Sequence, residues 1–128
     1  MNTKLSPSME DYLKAILSLE NERGAVRVKD IAKKLDITMP SVSSALKNLE
    51  KQDLVCHPRY DLVGLTQEGS RVAEDIYHRH QVIKDFLSQV LGLDAEIAEK
   101  DACGMEHAIS QETFESLARF LESEYGSE

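Results

Sequence analysis

The sequence is short of basic charge. Fifteen Lys and Arg stand against twenty-three Asp and Glu in 128 residues, a formal net charge of −8. A duplex-binding surface needs positive charge, so the bulk balance argues against nucleic acid. Cysteine is scarce too: Cys56 and Cys103 are too few and too far apart for a disulfide framework. No apolar run is long enough for a transmembrane helix, and no apolar stretch of a secretory signal follows the N-terminal lysine. Repeats, linkers and low-complexity tracts are missing. The default expectation is a soluble cytoplasmic protein with no membrane partner. What is there is a 41% hydrophobic content, which argues against disorder, in a length that suits one domain or two small ones.

The charge is unevenly spread. Residues 1–60 carry ten basic and eight acidic side chains, residues 61–128 five and fifteen, so the two parts differ in sign. Such asymmetry implies that one half meets an anion and the other does something else, or else that two solvated faces differ in sign.

The chain reads as mainly α. Ser6-Pro7 opens a first helix, with Ser as N-cap and Pro in the first turn, and Ser8 with Asp11 forms an alternative capping pair. Tyr12, Leu13, Ile16 and Leu17 give its apolar face, and Gly24 ends it. A short second helix opens at Arg27–Asp30, with Val28, Ile31, Ala32 and Leu35 apolar. After a break at Asp36-Ile37-Thr38, Thr38 caps a third helix striped by Val42, Ala45, Leu46 and Leu49. Two helices joined by so short a turn have the spacing of a helix-turn-helix. Two β-prone runs, Leu54–His57 and Leu62–Leu65, flank a polar turn and predict a hairpin, which in this position is a wing. Thr66 caps a fourth helix running to about Leu91, Asp94 opens a fifth reaching about Ala108, and Ser110 caps a sixth. The predicted architecture is an N-terminal winged helix-turn-helix, residues 1–70, followed by an α-helical metal-binding and dimerisation domain, residues 71–128.

In a winged helix the second motif helix enters the major groove, N-terminal residues foremost. Here that end holds Thr38, Met39, Pro40, Ser41, Ser43 and Ser44. Hydroxyls suit phosphate and base edges, and Met39 with Pro40 suits a thymine methyl. Lys47 and Lys51 follow on the solvent side, Arg27 stands where it could reach a phosphate, and Arg59 sits on the wing tip. The plainer reading is that the hydroxyls only cap the helix and the lysines are solvated. Because no large basic patch is present, specific binding needs two copies, each reading a half-site.

In the acidic half, Cys103, Glu106 and His107 fall at i, i+3 and i+4 and share one helix face. Thiolate, carboxylate and imidazole suit a divalent transition metal: iron, manganese, cobalt, nickel or zinc. His80 and Glu99 are placed to add ligands, whereas His78 points elsewhere. The plainer reading is a buried Cys beside a solvated Glu-His pair.

Together these features resemble the diphtheria-toxin-repressor family, over almost the whole chain. The marks are Ser8–Leu13, Thr38–Ser43, Leu62–Gly69, Arg79-His80 and Asp101–His107. The resemblance implies a homodimeric, metal-activated transcription factor that binds a palindromic operator, usually a repressor of metal-uptake genes, with Fe(II) or Mn(II) as cofactor and Co, Ni or Zn as substitutes. It implies ligands at Asp11, His80, Glu99, Cys103, Glu106 and His107. Asp11 is the ligand type of the manganese branch and Cys103 that of the iron branch. Lys14 and Lys84 depart from the pattern, standing where the manganese and iron branches respectively place carboxylates. The implied mechanism is a metal clamp joining Asp11 to the ligands of the later helices. Rival readings are a metal-independent winged-helix regulator answering to an organic ligand or a protein, a hydrolytic metalloenzyme, and a structural zinc module. No zincin-type motif and only one nearby Cys speak against the last two, so neither an enzyme nor a small organic substrate is expected.

Overall fold

A computed structural model of the chain describes residues 5–57 and 62–124. The chain divides into two compact units, one up to Asp75 and one from Ile76.

The first unit begins with helix α1 (Pro7–Arg23), where the Ser6 hydroxyl accepts the Met9 N–H at 3.2 Å, as expected of the N-cap. Gly24 closes it at φ 82°, a conformation that costs glycine little, and its N–H returns to the Glu20 carbonyl. Helix α2 (Val28–Leu35) starts where the Asp30 carboxylate accepts the Arg27 N–H at 3.0 Å and also pairs with Arg23. Asp36, in the left-handed region at φ 58°, ends α2 and begins the turn. Thr38 then caps helix α3 (Met39–Lys51) by accepting the Ser41 N–H at 3.3 Å, and Pro40 falls in the first turn, where no backbone donor is needed. Leu13, Ile16, Ile31, Leu46, Leu49 and Leu54 are fully buried where the three helices meet. Each such side chain contributes about 1.5–3 kcal/mol.

The expected hairpin is present but belongs to a larger sheet. Strand β2 (Val55–Cys56) pairs antiparallel with β3 (Leu62–Leu65), in the register Val55 to Leu65 and Cys56 to Gly64. A further strand, β1 (Val26–Arg27), pairs with the other edge of β3, Val26 opposite Val63, giving the order β1-β3-β2. A two-residue strand has no period to read, and β1 is squeezed between the end of α1 and the start of α2. The Glu20 carboxylate accepts the Leu65 N–H at 3.2 Å, tying α1 to the sheet.

Helix α4 (Gln67–Asp85) starts at Thr66, whose hydroxyl accepts the Gly69 N–H at 2.9 Å and donates to the Asp53 carbonyl at 2.7 Å. The fourth helix does not run unbroken to Leu91. It passes at Phe86 into a π-helical turn (Phe86–Val90), closed by the i→i+5 bond from the Leu91 N–H to the Phe86 carbonyl, and Gly92 follows at φ 75°. Asp94 caps α5 (Ala95–Met105) by accepting the Ile97 N–H at 3.0 Å. Helix α5 stops at Met105 rather than near Ala108, because its last turn tightens to an i→i+3 bond from Ala108 to the Met105 carbonyl. The Ser110 hydroxyl accepts the Thr113 N–H at the start of α6 (Gln111–Glu124). Ile83, Leu87, Ala98 and Ala102 form the small core of this unit, with Leu93, Met105, Ile109 and Leu117 against it. No helix among the described residues is long and apolar enough to cross a membrane.

Gly69 packs so closely on the Leu54 backbone that a Cβ there would lie 1.9 Å from the Leu54 carbonyl oxygen, whereas one at Gly104 would meet nothing within 4 Å. Gly69→Ala is expected to destabilise the chain by about 1–3 kcal/mol or more. Gly104→Ala is expected to stabilise it by up to about 1 kcal/mol, the helix-propensity gain. Urea unfolding followed by circular dichroism checks both signs.

Candidate metal centre and nucleic-acid interface

His80 occupies a position in the buried stripe of α4 that runs Ile76, His80, Ile83 and on to Leu87 at helical spacing. Only 5% of it is exposed, and both ring nitrogens face carboxylates of the α5 region. Nδ1 lies 2.6 Å from Glu106 Oε1, and Nε2 lies 3.1 Å from Glu99 Oε1. The other oxygen of Glu106, itself 2% exposed, lies 3.2 Å from His107 Nε2. Glu99 and Cys103, one turn apart on α5, bring a carboxylate oxygen and a thiol sulfur to the same place. His80, Glu99 and Cys103 each offer one ligand atom, and these atoms lie within 4.8 Å of one another.

This donor set fits a divalent cation. A neutral imidazole donates from one nitrogen and presents a lone pair at the other. Both nitrogens here face carboxylate oxygens, so without a cation each of the two contacts needs a proton, on the ring or on the carboxyl. A metal in place of one of those protons would satisfy the same oxygens, and the C-terminal turn of α5 adds the partial negative charge of its carbonyls. Burial pushes the Glu99 carboxyl up, but the hydrogen bonds and positive charges of His80 and Lys84 outweigh it and hold the group below the usual carboxylate range. Lys84 Nζ lies 3.2 Å from Glu99 Oε1.

Sequence reasoning gave no role to Arg79. Its Nε donates to the Glu106 carbonyl at 2.7 Å, its Nη1 to Gln111 at 3.0 Å and its Nη2 to the Ile109 carbonyl, and its guanidinium lies 5.3 Å from the centre of the Phe114 ring. Arg79 therefore fixes the backbone that carries Glu106 and His107. The signal was a charged residue on the buried side of an amphipathic helix, next to His80. His78, set aside as a ligand, meets Phe114 edge to face at 5.7 Å.

Asp11 lies half-buried on α1 of the first unit. On α3, Met39, Pro40, Ser41, Ser44, Lys47 and Lys51 are exposed and Ser43 is half-buried, while Thr38 is exposed at the cap. The Thr38 hydroxyl donates to Ser41 Oγ at 2.9 Å, so capping engages two of the hydroxyls expected to read DNA. Ser8, Met9 and Tyr12 of α1 line a groove with Pro40, Ser41, Ser44 and Asn48, adding α1 residues that the sequence pattern did not connect to that surface. Arg27 is exposed on β1. Arg59 lies outside the described residues.

A three-helix unit with a small antiparallel sheet, followed by helices carrying a His, Glu and Cys donor cluster, defines a winged helix-turn-helix regulator with a metal-binding domain. Residues 4–63 match the family model "Iron dependent repressor, N-terminal DNA binding domain", and residues 66–124 match "Iron dependent repressor, metal binding and dimerisation domain". The chain belongs to this family of metal-dependent transcriptional regulators, the diphtheria-toxin-repressor family. It is 34% identical over 117 residues to the HTH-type transcriptional regulator MntR of Shouchella clausii, covering 91% of this chain and 81% of that one. It is 38% identical over 114 residues to the transcriptional regulator MntR of Escherichia coli O6:H1, covering 89% and 73%. The solved structure of the manganese regulator SloR is 33% identical, with a TM-score of 0.79, over 92% of this chain but only 55% of its own. Membership favours metal over an organic ligand as the signal.

Arg79→Lys keeps the charge but loses the forked geometry. It is expected to lower Mn(II) affinity about 10- to 100-fold, the usual cost of losing an outer-shell partner. Competition against a chromophoric chelator measures this, and wild-type affinity in a folded variant would remove Arg79 from the site.

Proposed function

We propose that this chain is a cytoplasmic homodimeric repressor, not an enzyme, that Mn(II) or Fe(II) switches to the form that binds a palindromic operator of metal-uptake genes. The observation that carries the proposal is the buried His80 between Glu106 and Glu99, with Cys103 beside it. The proposed ligands are His80, Glu99, Cys103, Glu106 and His107, with Asp11 of α1 completing the set. The metal would supply a divalent charge that neutralises clustered carboxylates and links residues far apart in sequence. Because a metal shifts an equilibrium only by its differential affinity for two states, the ligand on α1 decides how strongly binding is felt by the DNA-reading unit.

Dimerisation is supported by α6, which buries none of its residues although it carries Phe114, Leu117, Phe120 and Leu121. Ile97 and Phe120 are 46% and 42% exposed, so a second copy has apolar surface to cover on α5 and α6. For DNA, Ser41 and Ser44 with Met39 and Pro40 supply the groove-facing end of α3, and Arg27, Lys47, Lys51 and Arg59 the phosphate contacts. Two such helices must stand about one duplex turn apart to read a palindrome.

The test is operator binding under anaerobic, reducing conditions with Mn(II), Fe(II), Zn(II) and chelator compared. Mn(II) or Fe(II) is expected to tighten binding, and equal binding in chelator would overturn the proposal. Asp11→Ala is expected to abolish most of that enhancement; undiminished metal dependence would sink the clamp. Lys47→Ala is expected to weaken binding to all sequences alike and to reduce the slope of log affinity against log salt by about 0.9, read from a salt titration.

A further inference from the structure

Lys84 stands one turn beyond His80 on α4 and reaches into the metal cluster rather than away from it. Its ammonium lies 3.2 Å from Glu99 Oε1, the same oxygen that lies 3.1 Å from His80 Nε2. The side chain is 32% exposed, so this contact is only partly screened by water. The Glu99 oxygen that faces His80 is shared with the ammonium, so a metal at that oxygen has to compete with a charge already in place. A second divalent ion at this pair would also sit within a few ångströms of a positive charge that is only partly solvated, and like charges repel there.

We propose that Lys84 is a tethered cation that takes the place of a second metal at the His80–Glu99 pair, so that each protomer holds one divalent ion and not two. The inference rests on the metal-sensing reading above. The six proposed donors are enough for a pair of ions, and Lys84 competes for one of them, Glu99. Charge, not bulk, is the operative property: an arginine preserves the effect, a neutral side chain weakens it, and a carboxylate reverses it by adding a donor.

The test is equilibrium dialysis of the full chain against Mn(II), with metal per protomer counted by elemental analysis for wild type, Lys84→Arg, Lys84→Gln and Lys84→Glu. Wild type and Lys84→Arg are expected to saturate at one Mn(II) per protomer. Lys84→Glu is expected to reach two, and Lys84→Gln to bind a second ion at least tenfold more tightly than wild type does. Two tight equivalents in wild type overturn the inference, as does a single equivalent in a Lys84→Glu protein of wild-type helix content. Should Lys84→Glu not fold, Lys84→Gln decides: no gain in second-ion affinity overturns the inference. A wild-type chain that takes up no metal overturns the metal-sensing reading, and this inference with it.

Discussion

The second unit depends on one buried imidazole held between two carboxylates. An ionised group taken out of water costs several kcal/mol unless its partners replace the lost hydration. His80 at 5% exposure and Glu106 at 2% are acceptable only because each supplies what the other lacks. That pairing requires α5 to lie close to α4, and the residues of α5 that face inward, Ala98 and Ala102, are both fully buried and small enough to allow it. Arg79 then fixes the carbonyl of Glu106 and the turn that follows. A site held by packing on one side and a guanidinium on the other has its donors in place before any cation arrives, which lowers the ordering cost of binding.

The first unit is organised by caps rather than by buried charge. Ser6, Thr38 and Thr66 each accept a backbone N–H of the first helical turn they precede, and Gly24 and Asp36 end helices in left-handed conformations. These local decisions set where α3 starts, and therefore which residues stand at its N-terminal end. The engagement of Thr38 with Ser41 leaves Ser44, Met39 and the lysines as the side chains of α3 least committed to the helix itself. The sheet edge that carries Arg27 depends on β1, which pairs only through Val26 and Arg27.

Caps and apolar stripes were legible because both act within four residues: the helix starts at Ser6, Thr38, Asp94 and Ser110 and the face Val42, Ala45, Leu46, Leu49 need nothing distant. What was not legible depends on remote partners. The two-residue strand β1 exists only because Val63 lies opposite Val26, and nothing in Val26-Arg27 alone calls for a strand. The π turn at Phe86–Val90 contains no Gly or Pro to announce it. Arg79 earns its role from carbonyls 27 and 30 residues further along. For the candidate site, helical spacing put Cys103, Glu106 and His107 on one face, but the structure groups Cys103 with His80 and Glu99, while Glu106 contacts His80 and His107. The contact of Lys84 with Glu99 follows from no motif.

The mixed donor chemistry sharpens what the protein must solve. Affinity of a given site for divalent ions rises from Mn(II) through Fe(II) and Co(II) toward Cu(II), so a thiolate-bearing site does not prefer manganese or iron by strength alone. Selection has to come from coordination geometry, ligand type and metal availability. Zinc is content with four ligands, often rich in sulfur, while Mn(II) tolerates six oxygen and nitrogen donors. Of the proposed ligands, the carboxylates Glu99 and Glu106 and the imidazoles His80 and His107 lean toward the larger coordination number, and Cys103 leans the other way. An ammonium that competes for Glu99 lowers the donor count and so shifts that balance toward ions that bind the thiolate well. With the proposed donor set, therefore, the balance between oxygen-preferring and thiolate-preferring ions turns on whether Lys84 or the metal holds Glu99.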